Sequence, residues 1–249
     1  MSAPEKWHKR FLQQTRWTES VRRFLFQQAD ITRADAILEA GCGSGAILAD
    51  IFRQTNAHLV GIDLKLEYLR YARSGGIFFE LAGADVFHLP FANQVFSHAC
   101  CHFFLLWVHD PLQALLEMKR VTKPGGFILA LAEPDYGGRI DHPPSLVQLG
   151  QLQVQSLIRQ GADPLMGRKL KSLFNQSGLR NVQSGVIWGQ WKEQPAMEEW
   201  ELEWNTLESD LEGMVSQERL AELKQLDLAA WKDGERILFV PTFYTSGQI

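Results

Sequence analysis

A short strand-like run, Ala36-Ile37-Leu38-Glu39, passes through Ala40 straight into Gly41-Cys42-Gly43-Ser44-Gly45, and a helical stretch, Ala46-Ile47-Leu48-Ala49-Asp50-Ile51-Phe52, follows at once. Strand, glycines and helix in that order require the backbone to reverse sharply, which glycine permits because it has no Cβ. The same arrangement leaves amides open at a helix N-terminus, where a ligand can approach the main chain. The cycle then repeats. Residues 58–63 read as a strand and 66–74 as a helix; 77–81 and 95–103 read as further strands. A helix over 111–121, a turn at Lys123-Pro124-Gly125-Gly126 and a fifth strand over 127–132 complete the rhythm. Strands alternating with helices at this spacing predict a parallel sheet covered by helices on both faces.

Outside that block the pattern changes. Trp17, Val21, Phe24, Leu25 and Gln28 share one face of a helix over 17–30, with Thr18 as its cap. Later, 144–160 and 167–176 read as helices, the second ended by Gly178, and 182–191 and 236–245 as strands. Met197, Trp200, Trp204, Leu207, Leu211 and Met214 recur at gaps of three and four, the seam of an amphipathic helix. The reading is an N-terminal helical segment over 1–33 and one α/β domain over 34–249. Insertions at about 137–166 and 192–234 would form a helical cap.

Composition removes several classes. Of 249 residues, 45% are hydrophobic and 22% charged, so the chain can bury a full core and is not disordered. The net charge of −4 offers no basic footprint for nucleic acid. The charge is uneven: residues 1–33 hold seven Lys/Arg against three acids, whereas 193–212 hold eight acids and no base. Both are expected to be solvated helix faces. Cys42, Cys100 and Cys101 are too few for a disulfide framework, and no Cys/His spacing suggests a metal site. The start lacks the apolar stretch of a signal peptide and no apolar run approaches ~18 residues. A cytoplasmic protein without a membrane partner is expected.

The glycine loop alone leaves the ligand open. Gly41-x-Gly43-x-x-Ala46 satisfies a dinucleotide fingerprint, with Asp63 22 residues after Gly41. A tight turn without any ligand would look the same. Four segments in order are more specific. Ile37 to Gly45, Val60-Gly61-Ile62-Asp63, Gly83-Ala84-Asp85-Val86 with Leu89-Pro90-Phe91, and Val121 to Gly126 together resemble the motifs of the class I S-adenosylmethionine-dependent methyltransferases, small-molecule type. The resemblance covers roughly 34–134. It departs at Phe96-Ser97, where the family commonly has Phe-Asp, and it lacks the Asn/Asp-Pro-Pro-Tyr segment of the glutamine- and base-methylating branch.

That resemblance implies a three-layer Rossmann-like fold. Its seven-stranded sheet would be mostly parallel, with an antiparallel C-terminal strand and the helical cap above it. It implies S-adenosylmethionine as cofactor, S-adenosylhomocysteine as product and a small-molecule methyl acceptor. Asp63 would take the ribose diol, Asp85 the adenine amino group with the Val86 amide beside it, and Leu64 would lie on the adenine. Gly41, Cys42, Gly43, Gly45, Cys101 and His102 would surround the methionine end, with Glu39 ordering the loop and Arg16 closing from the N-terminal helix. His102, Glu133, Asp135 and Tyr136, at the ends of the fourth and fifth strands, are the candidates for the acceptor side. The alternatives are a nicotinamide-dependent oxidoreductase and a cofactor-binding protein without turnover. In the cap, Trp200 and Trp204 pose a choice between core packing and a lid whose acids favour cationic acceptors.

Overall fold

The computed structural model describes residues 2–75, 79–187 and 194–249. Seven strands form one sheet: β1 (Ala36–Ala40), β2 (His58–Asp63), β3 (Glu80–Gly83), β4 (Phe96–Cys101), β5 (Thr122–Pro134), β7 (Arg180–Ile187) and β9 (Thr242–Gln248). Their order is β3-β2-β1-β4-β5-β9-β7. All pairings among β1 to β5 are parallel, and β9 runs antiparallel to both of its neighbours. Every residue of β1 is buried, as a central parallel strand covered on both faces must be.

Alternation divides the core in two. Leu38, Ala40 and Cys101 face one apolar cluster with α5 (Pro111–Val121) and α7 (Met166–Gln176). Ile37 and Cys100 face the other, with α2 (Glu19–Gln28), α3 (Ala46–Phe52) and α4 (Leu66–Ser74). The neighbouring cysteines therefore lie on opposite sides of the sheet, and all three cysteines are free and buried. A third cluster joins α6 (Val147–Arg159), α8 (Met197–Asp210) and α9 (Gln217–Lys232). A two-stranded ribbon, β6 (Ile140–His142) with β8 (Ile237–Phe239), lies beside it.

Several boundaries differ from the sequence reading for identifiable reasons. The strand expected over 77–81 begins at Glu80; residues 76–78 lie outside the described residues. The expected turn at 123–126 is a bulge inside β5, taken up by a register shift opposite Phe96 to His98, with Gly125 at φ +83°. The expected strand over 236–245 is broken between β8 and β9 at Pro241, which has no amide to give a ladder. The part of 182–191 beyond Ile187 is outside the described residues. Most consequential is α1 (Ala3–Trp17): the sequence reading made 1–33 a helical segment but assigned a periodic helix only over 17–30. Ser2 caps α1, accepting from the Glu5 amide at 3.4 Å. Thr18, read as a cap, makes no side-chain cap bond; its hydroxyl donates to the Gln14 carbonyl at 3.0 Å instead.

The uneven charge has a structural use. Basic α1 lies against acidic α8: Arg10 pairs with Glu203, Arg16 with Glu199 at 2.9 Å, and Lys6 Nζ donates to the Asn205 carbonyl at 2.9 Å. These faces are not simply solvated, as expected, but hold two distant parts of the chain together. Among the described residues, no helix is long and apolar enough to cross a membrane, and no cluster of three or more His, Cys, Asp or Glu could hold a metal.

Candidate functional site

Strand order reverses between β1 and β4, and the crevice at such a point, beyond the carboxyl ends of the strands, is where open α/β sheets bind ligands. A cavity of about 690 Å³ opens there, lined by the ends of β1, β2 and β4, by the loop after β3 and by α1. Gly41 (φ +69°) and Gly43 (φ +51°) shape its floor. A Cβ on Gly41 would stand 2.1 Å from the Phe104 ring, and one on Gly43 2.8 Å from Phe11 of α1. Two amides of the loop are already engaged. Cys42 N–H donates to the Ile62 carbonyl at 2.9 Å and Gly43 N–H to Asp63 Oδ2 at 2.8 Å.

Three carboxylates line this cavity. Asp63 accepts from Gly43 on one oxygen and from the Lys65 amide on the other, both at 2.8 Å. A carboxylate has about four acceptor sites, so one remains on each oxygen, enough for the two hydroxyls of a ribose diol. Asp85 accepts from the Phe87 amide at 3.0 Å and sits beside the buried Val86. Leu64, next to Asp63, is 70% exposed, an apolar surface left bare within the cavity wall. Glu39 is 2% exposed, and its Oε2 is a buried side-chain atom without a hydrogen-bond partner. Burial pushes its carboxyl well above the usual range, and Asp63 adds to the rise, while the Leu48 amide and Arg22 act against it. An unpaired buried carboxylate at the cavity floor fits a ligand that brings positive charge.

The remaining expected residues divide. His102 lines the cavity at the end of β4, with Nε2 2.9 Å from Thr18 Oγ1, which also accepts from Arg22 at 2.6 Å. Burial, with the Arg22 charge behind it, holds its pKa down at about 3, so the imidazole is neutral. Tyr136 lines the cavity, and burial raises its phenol pKa. Cys42 contributes main chain; its thiol turns toward Gly61 and the apolar cluster behind the loop.

Other expectations are corrected. Cys101 is fully buried in the sheet core and does not line the cavity. Gly45 (φ +77°) caps α3 and Arg16 pairs with Glu199; neither lines the cavity. Glu133 is not a substrate-side group. It is fully buried and accepts the amides of Phe104, Leu105 and Leu106 at 2.8, 2.7 and 3.2 Å, fixing the loop after β4. Burial raises its carboxyl to about 7 against those three bonds. Asp135 is tied to the Gly137 amide at 3.0 Å and to Arg168 Nη2 at 2.8 Å, away from the cavity.

The sequence reading missed the roof. Trp7, Phe11, Gln14 and Thr15 of α1 line the cavity, and Phe11 meets Tyr68 edge to face at 5.8 Å. Their signal was present in Ser2-x-x-Glu5 with a proline in the first turn, a capping pattern ahead of Trp7 and Phe11 one turn apart. Trp200 and Trp204 are no lid over a ligand. Both indoles donate to Asp227 Oδ2, at 2.7 and 2.8 Å, within a buried cluster. Three of the acids around them are also committed: Glu199 to Arg16, Glu203 to Arg10, and Glu201 to Lys224.

Comparison with known proteins agrees with this geometry. A family model described as a methyltransferase domain matches residues 38–130. An uncharacterized methyltransferase of Schizosaccharomyces pombe is 29% identical over 156 residues, 57% of this chain and 55% of that protein. A demethylmenaquinone methyltransferase of Bacillus licheniformis is 28% identical over 196 residues, 70% of this chain and 81% of that one. Among solved structures, phosphoethanolamine N-methyltransferase 2 of Haemonchus contortus, in complex with S-adenosyl-L-methionine, matches with a TM-score of 0.61 and 15% identity. That match covers 92% of this chain and 52% of the other. The chain spans 55%, 38% and 46% of the first three curated relatives it matches. Residues 38–130 thus match a methyltransferase domain, and the fold around them is that of solved methyltransferase structures.

Proposed function

We propose that this chain transfers a methyl group from S-adenosylmethionine to a small-molecule acceptor by in-line displacement. The observation that carries the reading is the unpaired Glu39 oxygen in one cavity with Asp63 and Asp85. Asp63 would hold the ribose diol, Asp85 the adenine amino group, and Leu64 the adenine face. Glu39 would meet the positive charge of the methionine end. When bound, the sulfonium supplies an activated methyl that passes to the acceptor atom as its carbon–sulfur bond breaks, both electrons staying on sulfur. The chain's own work is then positioning and exclusion of water, with Trp7 and Phe11 closing the roof.

The same features count against a dinucleotide. A pyrophosphate needs free loop amides and no nearby anion, whereas Cys42 and Gly43 have spent theirs and Glu39 lies beneath. Proton removal has no strong candidate here. Glu133 and Asp135 are internally bonded, and His102 at about 3 is a weak base. The acceptor therefore arrives with a free lone pair or loses its proton to solvent. The test is incubation with methyl-labelled S-adenosylmethionine and a cell extract. Label in the organic-extractable, low-mass fraction supports a small-molecule acceptor. Label confined to protein or nucleic acid removes it, and binding without any transfer leaves the non-catalytic alternative.

A further inference from the structure

The half of the cavity over β4 and β5 differs in chemistry from the half over β1, β2 and β3. Its walls are Leu106, Trp107, Val108, Pro134, Tyr136 and Leu157. Charged groups around it are committed inside the protein. Glu133 takes three amides, Asp135 pairs with Arg168, Arg10 with Glu203, and Arg22 with Asp50 at 2.7 Å. Asp210, behind Gln160, accepts that side-chain amide at 3.2 Å. The carboxylates left open, Glu39, Asp63 and Asp85, belong to the opposite half. Trp107 is 46% exposed although it lines the cavity, and Ile158, next to Leu157 on α6, is 57% exposed, so apolar surface continues outward on these segments.

We propose that the methyl acceptor is an uncharged, largely apolar small molecule seated over the ends of β4 and β5, with Tyr136 as its hydrogen-bonding anchor and Trp107 as its apolar wall. This rests on the methyl-transfer reading of the cavity. An ionised acceptor would lose its hydration here and find no unpaired opposite charge, whereas a neutral apolar one gains by leaving water. Three titratable groups line this half: Tyr136, His102 and His109, the last with its ring packed against Phe87 at 4.4 Å. Burial keeps the Tyr136 phenol protonated and the His102 imidazole uncharged. These two can each exchange a hydrogen bond with a hydroxyl or carbonyl but cannot compensate an ion.

The test uses the full chain saturated with S-adenosylhomocysteine and three probes of one shape: 2-naphthol, 2-naphthoate and 2-naphthylmethylammonium. Calorimetry should show naphthol binding at least about tenfold more tightly than either ion. Tyr136→Phe should weaken naphthol by about two- to tenfold, the range of a neutral hydrogen bond, and leave S-adenosylhomocysteine affinity unchanged. Trp107→Ala should weaken naphthol as well. Either ion binding as tightly as naphthol, or no probe binding to the loaded protein, overturns the proposal. Failure to load with S-adenosylhomocysteine is read separately, before any probe is added, and overturns the methyl-transfer reading itself.

Discussion

Asp63 performs two tasks through one carboxylate: it holds the Gly43 and Lys65 amides and leaves an acceptor site on each oxygen. Asp63→Ala should therefore cost about 1.5–3 kcal/mol of S-adenosylhomocysteine binding, the range for hydrogen bonds to a charged group. That is roughly ten- to a hundredfold in Kd, read by calorimetry on a folded variant. Unchanged affinity would remove Asp63 from the site. Glu39 makes a pH prediction. Its folded-state pKa is raised, so in the free protein its stability contribution is present below the ordinary value of 4.5 and is lost as pH rises through the raised value. A cationic ligand group favours the ionised form, so binding must release a proton wherever the free carboxyl is protonated. Affinity for S-adenosylhomocysteine should fall as pH falls through the raised pKa. Titrations in buffers of different ionisation enthalpy should show proton release that Glu39→Gln abolishes. Asp63, Asp85 and Glu39, the three carboxylates that share the cavity proposed for the cofactor, could be picked out in the sequence because each stands at a fixed place in a strand–turn pattern. Glu133 and Asp135 were misread because a carboxylate at a strand end looks the same whether it faces a ligand or binds loop amides.

At the scale of elements, β1 to β5 and the helices between them were legible because each is a local pattern, apolar runs for strands and periodic faces for helices. Boundaries failed where one residue overrides the pattern, at Pro241 between β8 and β9 and at Gly125 in the β5 bulge. Helix α8 shows a different limit. Its seam was visible, but whether Trp200 and Trp204 met a ligand or the core depended on Asp227 of α9, 27 and 23 residues away. Trp204 is 1% exposed, so Trp204→Ala should cost about 3–5 kcal/mol, seen as a large fall in thermal midpoint. Cofactor affinity of the folded fraction should hold. A variant as stable as the parent would contradict the assignment of this tryptophan to the core.

Across the whole molecule, the basic N-terminal segment and the acidic stretch over 193–212 were readable as charge but not as partners. Contacts such as Arg10 to Glu203, 193 residues apart, leave no trace in any local window. Their meeting sets α1 over the glycine loop, so the roof of the cavity is supplied by the N-terminal helix and steadied by α8, far along the chain. The floor, by contrast, comes from the contiguous motif block. Ligand linkage joins these parts: at a hundredfold excess over Kd, S-adenosylhomocysteine stabilises the folded state by about 2.7 kcal/mol, a thermal shift of about 5–10 °C for a domain of this size. The most direct test of the account is a calorimetric titration of the unmodified protein with S-adenosylhomocysteine, set beside the same titration with NADH. The account predicts one S-adenosylhomocysteine site per chain and no measurable heat from NADH. No S-adenosylhomocysteine binding, or NADH binding with comparable affinity, would contradict it.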